Sequence, residues 1–371
     1  MKLSGITWDH PRGYDPVVAA SEAYAEQTGV EISWQKRSLQ AFADAPIAEL
    51  AEAHDFIVLD HPHVGQIAET GALLPLPAPE DDGASLGGSA ESYLWQGQCW
   101  AYAIDAACQM ACHRPDLGAP VAKVWEDFLR PEAKAFRPLT PLLPVDAFDM
   151  FMTLVAGRGG AVMPYAPQRF VSEENGLHAL TVLRALFALG PSDQVKMNPI
   201  HVLETLSSEG GDFAASPCLF GYVNYARQGF RAHPVAYVDL PVWQGYKGSK
   251  AILGGAGIGV SAQTIAPREA IAFAQWLATE AVQSGIYLAG NGQPAHRRTW
   301  LAQQAQGDAT GFFKGGFATI DSAWTRPRAP WFLGFVDDVC EIMPDFFLKA
   351  IPCETFLAQL DALYRHHLKG A

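Results

Sequence analysis

Between two aspartates, Asp55 and Asp60, stand four apolar residues in a row, Phe56-Ile57-Val58-Leu59. A half-exposed strand would break such a run at every second position. An uninterrupted run this short, closed by an acid at each end, marks a strand covered on both faces. Such a strand needs a layer above it and a layer below, and the flanking sequence supplies them. Leu3–Trp8 reads as a strand and Asp15–Thr28 as a helix stopped by Gly29. Val30–Trp34 alternates like a strand, Leu39–Ala53 is helical, and Val64–Glu69 is a short helix ending at Gly71. This βαβαβα order predicts an α/β protein with a mostly parallel sheet between helices.

At 371 residues the chain exceeds the usual size of a single core, so two lobes are expected. After a Pro/Asp/Gly/Ser-rich loop at Pro77–Ser89, Trp100–Ile104 and Cys108–His113 read as strands with no helix between them. Val121–Leu129, Ala147–Gly157, Gly176–Leu189 and Pro199–Ser207 have helical patterns. Phe220–Tyr225, Val235–Leu240 and Ile252–Val260 have strand patterns, and Pro267–Ala278 is again helical. From Ala323 the chain is helical with proline interruptions, closing with Glu354–Leu368.

A formal charge of −13 argues against nucleic acid or anionic lipid as the main partner, because either requires a basic stripe. No stretch approaches the roughly 18 apolar residues of a membrane span. Met1–Trp8 runs directly into strand-like sequence without the basic, apolar and small-residue regions of a secretory signal. The expected location is therefore periplasmic if a leader has been removed and cytoplasmic if Met1 is the native start. Six cysteines, none in CxxC spacing, read as buried free thiols, with a disulfide open to a periplasmic protein.

Three segments carry candidate chemistry. Gly254-Gly255-Ala256-Gly257-Ile258-Gly259 fails the dinucleotide register, since Val260 stands where the third glycine belongs, and it lacks the ending of a phosphate loop. Its glycines instead suit a close approach of backbone to a ligand or a bent strand. Asp60-His61-Pro62-His63 has zinc-binding residue types, but no downstream partner has suitable spacing, and no metal or cofactor is expected. It follows a doubly buried strand, where open α/β sheets place their ligand contacts. Trp8-Asp9-His10-Pro11-Arg12-Gly13-Tyr14 occupies the same place after the first strand. It can bind a polar ligand through aromatic cover and hydrogen bonds, or its aspartates can simply cap the next helix. No nucleophile elbow, HExxH pair or kinase-like set is present, so an enzyme is not expected.

Several passages resemble the extracellular solute-binding proteins of ABC transporters, in the maltose-binding-protein-like class. Gln27-Thr28-Gly29-Val30-Glu31-Ile32 resembles the lead into that family's second strand. Asp55–Asp60 with Gln66-Ile67-Ala68-Glu69-Thr70-Gly71-Ala72-Leu73-Leu74-Pro75-Leu76 resembles its next block. Trp95–Asp105 and His113-Arg114-Pro115-Asp116-Leu117 are similar to its first interlobe crossing and the segment after it. Phe220–Tyr225, Leu253–Ser261, and Ala270–Leu277 with Gln283 and Gly290–Ala295 follow in the family's order.

The resemblance implies a two-lobed periplasmic-binding-protein-like fold of type II, with discontinuous lobes and an interlobe ligand cleft. It implies residues 1–107 and 262–320 in one lobe, 108–261 and 321–371 in the other, with crossings near Asp105–Gln109 and Val260–Ala262. The function implied is capture of a small polar ligand, a carbohydrate or related metabolite, by hinge closure for uptake through an ABC permease, as a monomer. A cytoplasmic sensor or carrier, or an enzyme on a related scaffold, is the alternative. The ligand contacts implied are Trp8, His10, Arg12, Asp60, His61 and Asp105, then Tyr222, Asn224 and Tyr225, then Gly254, Gly255, Asn291 and Gln293. His10, Arg12, His61 and His63 also leave an anionic ligand open. On this reading, loss of Trp8 weakens ligand binding and leaves the ligand-free protein as stable as before.

Overall fold

The computed structural model describes residues 1–39, 46–79, 83–163, 168–248, 250–308 and 310–369. The chain divides into two compact units. The first contains Met1–Ala107, Leu253–Gly307 and Thr325–Pro330. The second contains Cys108–Ile252, Asp308–Trp324 and Trp331–Ala371.

Nine strands are described: β1 (Lys2–Trp8), β2 (Glu31–Arg37), β3 (Phe56–Leu59), β4 (Leu94–Trp95), β5 (Gln98–Cys99), β6 (Tyr102–His113), β7 (Ala215–Phe220), β8 (Ala236–Val238) and β9 (Leu253–Val260). In the first unit the order is β2-β1-β3-β9, followed by the early part of β6. β1 pairs in parallel with β2 and β3, whereas β9 runs antiparallel to β3, with Leu59 opposite Gly257. Successive residues of β3 point to opposite faces, as strand geometry requires. Phe56 and Val58 join one cluster, with Val17 and Ala20 of the helix Pro11–Thr28 and Phe273 of the helix Pro267–Leu277. Ile57 and Leu59 join another with Ile47, Ala51, Val64 and Ile67. All four side chains are fully buried.

In the second unit β6 is flanked by β7 and β8, both antiparallel to it. Cys112 stands opposite Ser216 on one side and Tyr237 on the other. The helices Pro144–Gly157, Glu173–Leu189, Phe332–Leu348 and Cys353–Lys369 surround an aromatic cluster. In it, Phe170 lies 5.6 Å from Phe148, 4.9 Å from Phe335 and 5.5 Å from Tyr364, ring centre to ring centre. No described helix is long and apolar enough to cross a membrane.

Several local expectations change. The two strands expected at Trp100–Ile104 and Cys108–His113 are one strand, β6, which passes from the first unit into the second. The second boundary falls at Ile252/Leu253 rather than after Val260, because the second half of β9, Gly257–Val260, pairs with β3 in the first unit. The first unit also gains Thr325–Pro330, and residues 308–320 belong to the second. Val121–Leu129 is helical only in a 3-10 turn at Trp125–Leu129, because Val242 pairs with Lys123 and Trp125 and holds the preceding chain extended. Phe220–Tyr225 is not a strand. β7 ends at Phe220, and a 3-10 turn covers Val223–Ala226. The first helix starts at Pro11, with His10 and not an aspartate as its cap. Of the helix expected at Leu39–Ala53, Ile47–Ala53 is observed, and residues 40–45 lie outside the described residues.

Candidate functional site

The first unit gathers most of the expected residues at one edge of its sheet, where β1 and β3 end and β9 begins. β1 ends at Trp8, and His10 caps the following helix by accepting a hydrogen bond from the Arg12 N–H at Nδ1, 3.0 Å away. Proline suits the first helical position because its missing N–H would have had no partner. This turn aims Arg12 back over the sheet, with its guanidinium 6.0 Å from the Trp8 ring centre. Arg12 meets Asp105 on β6 as a fork. Nε donates to Oδ2 at 2.9 Å and Nη2 to Oδ1 at 2.5 Å, and both side chains are buried. Burial pushes the Asp105 carboxyl up from its ordinary range, and Arg12 opposes that rise.

Two further expected residues brace this pair. Gly255 has φ 108°, and a Cβ there would lie 2.3 Å from the Asp105 carbonyl oxygen, so only glycine fits. Gln293 donates from Nε2 to the Ala106 carbonyl at 2.7 Å, and its own carbonyl accepts from the Ala106 N–H at 3.1 Å. Gly254 lies beside Gly255 in β9. Asn291 stands apart from this brace, with a left-handed φ of 74° and its amide donating to Asp15 at 2.9 Å.

Beside them, at the end of β3, Asp60 and His61 form a second knot with Arg326. The Asp60 Oδ1 accepts from the His61 N–H at 2.8 Å and lies 3.1 Å from the His61 Nδ1. Its Oδ2 accepts from the Arg326 Nη2, and the Arg326 N–H donates to the His61 Nε2 at 3.2 Å. Burial works to raise the Asp60 carboxyl, but Arg326 and His61 overcome it and hold it well below the usual carboxylate range. His61 is lowered by burial first and by Arg326 and Arg328 next, against the pull of Asp60. Its imidazole is therefore neutral near pH 7, with the proton on Nδ1 facing Asp60 and the Nε2 lone pair facing Arg326.

Sequence reasoning missed Arg326 and Tyr93. Arg326 lies 266 residues from Asp60, and nothing in its local pattern ties it to a strand end. Tyr93 is buried, donates to the Leu59 carbonyl at 3.1 Å and meets the His61 ring edge-on at 6.4 Å. Only a structure brings these together.

Tyr222, Asn224 and Tyr225 belong to the second unit and are buried on the turn after β7. The Tyr222 backbone is clasped by the Tyr237 hydroxyl, which accepts from its N–H at 3.1 Å and donates to its carbonyl at 2.9 Å. The Tyr225 hydroxyl donates to Glu204 at 2.6 Å, and Arg231 grips the same carboxylate with Nε and Nη2 at 2.7 and 2.6 Å. Burial and the Glu204 charge push the Tyr225 phenol far above its ordinary value.

Trp8 was expected to leave stability untouched, and its packing contradicts this. The indole is buried in the core of the first unit, and a Cβ on Gly13 would lie 2.3 Å from it. Among the described residues no group of three or more His, Cys, Asp or Glu is arranged to hold a metal ion. Cys99, Cys108, Cys112 and Cys218 are buried, and Cys340 and Cys353 are partly so.

No protein-family profile matches the chain, and no curated protein is similar to it in sequence. Solved structures are similar along nearly its whole length. The GacH receptor of Streptomyces glaucescens, studied unliganded and with acarbose, aligns with TM-score 0.80 and 16% identity, covering 99% of this chain and 98% of that one. An ABC-transporter solute-binding protein from Agrobacterium radiobacter in complex with ribitol gives 0.81 and 16%, again over 99% and 98%. One from Thermotoga lettingae bound to α-D-tagatose gives 0.81 and 14%, over 99% of each chain. The fold of this chain is that of the solute-binding proteins of ABC transporters.

Proposed function

We propose that the protein captures a small uncharged polar ligand, a carbohydrate or polyol, by hinge closure and presents it for uptake through an ABC permease. The whole-chain likeness to structures holding acarbose, ribitol and tagatose is the observation that carries this reading. Internal charge compensation in the first unit favours a neutral ligand over the anion that the sequence left open. Arg12 is matched by Asp105 and Arg326 by Asp60, while His61 is neutral. An anion placed there would compete with carboxylates already in position, at a desolvation cost for each group left behind. Sugar hydroxyls require only hydrogen-bond partners and apolar cover. The proposed setting is extracytoplasmic, and the proposed role is binding without turnover.

Thermal-shift titration with maltose, ribitol and α-D-tagatose tests this, followed by recovery of the ligand and its mass. Saturable stabilisation by an unchanged sugar or polyol is expected, about 2.7 kcal/mol at a hundredfold excess over Kd. Chemical conversion of the ligand, or stabilisation by small carboxylates and phosphates instead of sugars, overturns the proposal.

A further inference from the structure

Thr325–Pro330, the sequence Thr-Arg-Pro-Arg-Ala-Pro, belongs to the first unit although the chain on both sides of it belongs to the second. It brings no buried apolar side chain with it; Arg326 is its one buried residue. The attachments made by its two arginines are polar or charged. Arg326 binds Asp60 through Nη2 and His61 through its backbone N–H. The Arg328 Nη1 donates to the carbonyls of Glu91, Ser92 and Leu94 at 2.9, 3.1 and 2.6 Å, and its guanidinium lies 5.6 Å from the Trp95 ring centre. The Arg328 carbonyl presses on Gly65, where a Cβ would lie 2.0 Å from it. A segment held by burial would be insensitive to charge. A segment held by hydrogen bonds to an imidazole can be switched by one proton.

His61 has a lone pair for the Arg326 N–H only while Nε2 is unprotonated. A proton there sets two donors against each other at 3.2 Å and adds a cation beside Arg326 and Arg328. The groups facing the ring are Asp60 at the end of β3, Arg326 and Arg328 on the segment, and Tyr93 edge-on, with His63 one turn along. Among the described residues, Asp60 is the carboxylate paired with His61, and it also meets Arg326.

We infer that Arg326 is a positioning residue of the proposed binding site, fixing Asp60 and His61 from a distant part of the chain, and that protonation of His61 releases its grip. The connection to ligand rests on the proposed function; the grip itself does not. The sign follows from linkage. Burial and the neighbouring arginines hold the His61 pKa down while the segment is attached, so the state with the segment detached, in which His61 titrates nearer the ordinary imidazole value of about 6.5, takes up the proton first. Attachment is complete above about pH 6.5 and is lost as pH falls below it. The Asp60 carboxylate stays ionised through that window and does not contribute to it.

Hydrogen exchange at the Arg326 amide, corrected for the intrinsic pH dependence, tests the grip in the intact ligand-free protein. Between pH 7.5 and 5.5 the wild-type amide should lose several-fold, up to about tenfold, of its protection. His61→Gln, whose side-chain amide does not titrate, should show no such loss. Arg326→Ala keeps the N–H and removes a cation that holds the His61 pKa down in the attached state, so its loss of protection between the two pH values should be smaller than in the wild type; this variant serves if His61→Gln does not fold. Equal protection at both pH values in the wild type, or the same loss in His61→Gln, overturns the inference. Calorimetry with maltose, ribitol and α-D-tagatose at the same two pH values reads the link to the site. Binding that weakens at pH 5.5 in the wild type and not in His61→Gln supports the link, and binding that weakens equally in both refutes it. If none of the three binds at pH 7.5, the proposed function fails, and the exchange result still decides the grip.

Discussion

Arg12 and Asp105, 93 residues apart, meet in a two-pronged ion pair with neither side chain more than a few per cent exposed. Removing one partner strands the other charge in the interior. Arg12→Ala should therefore lower stability by about 3–5 kcal/mol in a denaturant titration. Arg12→Lys should recover only part of this, because an ammonium cannot reproduce the planar fork. A loss under 1 kcal/mol for Arg12→Ala would mean that the pair contributes little.

Gly255→Ala tests the brace from the other side. Its φ of 108° costs any L-residue about 1–3 kcal/mol, and the new methyl would collide with the Asp105 backbone, which cannot rotate away. A lower thermal midpoint is expected. Gly29→Ala, also at positive φ but with open space at its Cβ, should cost no more than strain alone. Equal effects at the two sites would show that the contact with Asp105 is unimportant.

Trp8→Ala should destabilise the ligand-free protein by about 3–5 kcal/mol, the usual range for emptying a buried aromatic site. Urea unfolding without ligand measures this. An unchanged midpoint would return Trp8 to the role of ligand platform that its position after β1 first implied.

Thiol chemistry reports on the same packing. Burial pushes Cys99 up to about 11 and Cys112 up to about 12, and Cys218 well above its ordinary range. At pH 8 these groups are almost entirely protonated, and the thiolate is the reactive form. An aromatic disulfide reagent should modify Cys340 and Cys353 before the four buried thiols, which should react only on unfolding. Peptide mapping after partial labelling decides it.

For the ligand side, Asn224→Ala should weaken sugar or polyol binding by about 1–2 kcal/mol if its amide meets the ligand. Isothermal calorimetry at pH 7.5, with the midpoint of the ligand-free variant measured alongside, separates loss of affinity from loss of fold. Undiminished affinity removes Asn224 from the site.

The readable parts of this fold were those whose physics is local. The run from Phe56 to Leu59 announced a strand buried on both faces because four apolar residues have no solvent side to offer. The helix Pro199–Ser207 was legible from its proline start and apolar period. Errors arose where distant chain decides the local form. Lys123 and Val124 are extended because Val242 pairs there, and the chain turns at Gly221 after β7, where a Cβ would lie 2.5 Å from Met110 Sδ. In the site, Arg12, His10 and Gly255 were visible through their placement at strand ends. That Arg12 would be matched by Asp105, and Asp60 by Arg326, was not, because ion-pair partners carry no sequence periodicity.

The discontinuity of the first unit bears on how the protein is made. Its last piece, Thr325–Pro330, is synthesised only after Met1–Ala107, Cys108–Ile252 and Leu253–Gly307 are complete. Until then Asp60 and His61 lack their arginine, and the nascent chain must carry an unfinished strand end through most of synthesis. Truncation from the C-terminus beyond residue 330 would therefore damage the unit at the opposite end of the sequence, and neither unit can be excised as one uninterrupted stretch for expression alone.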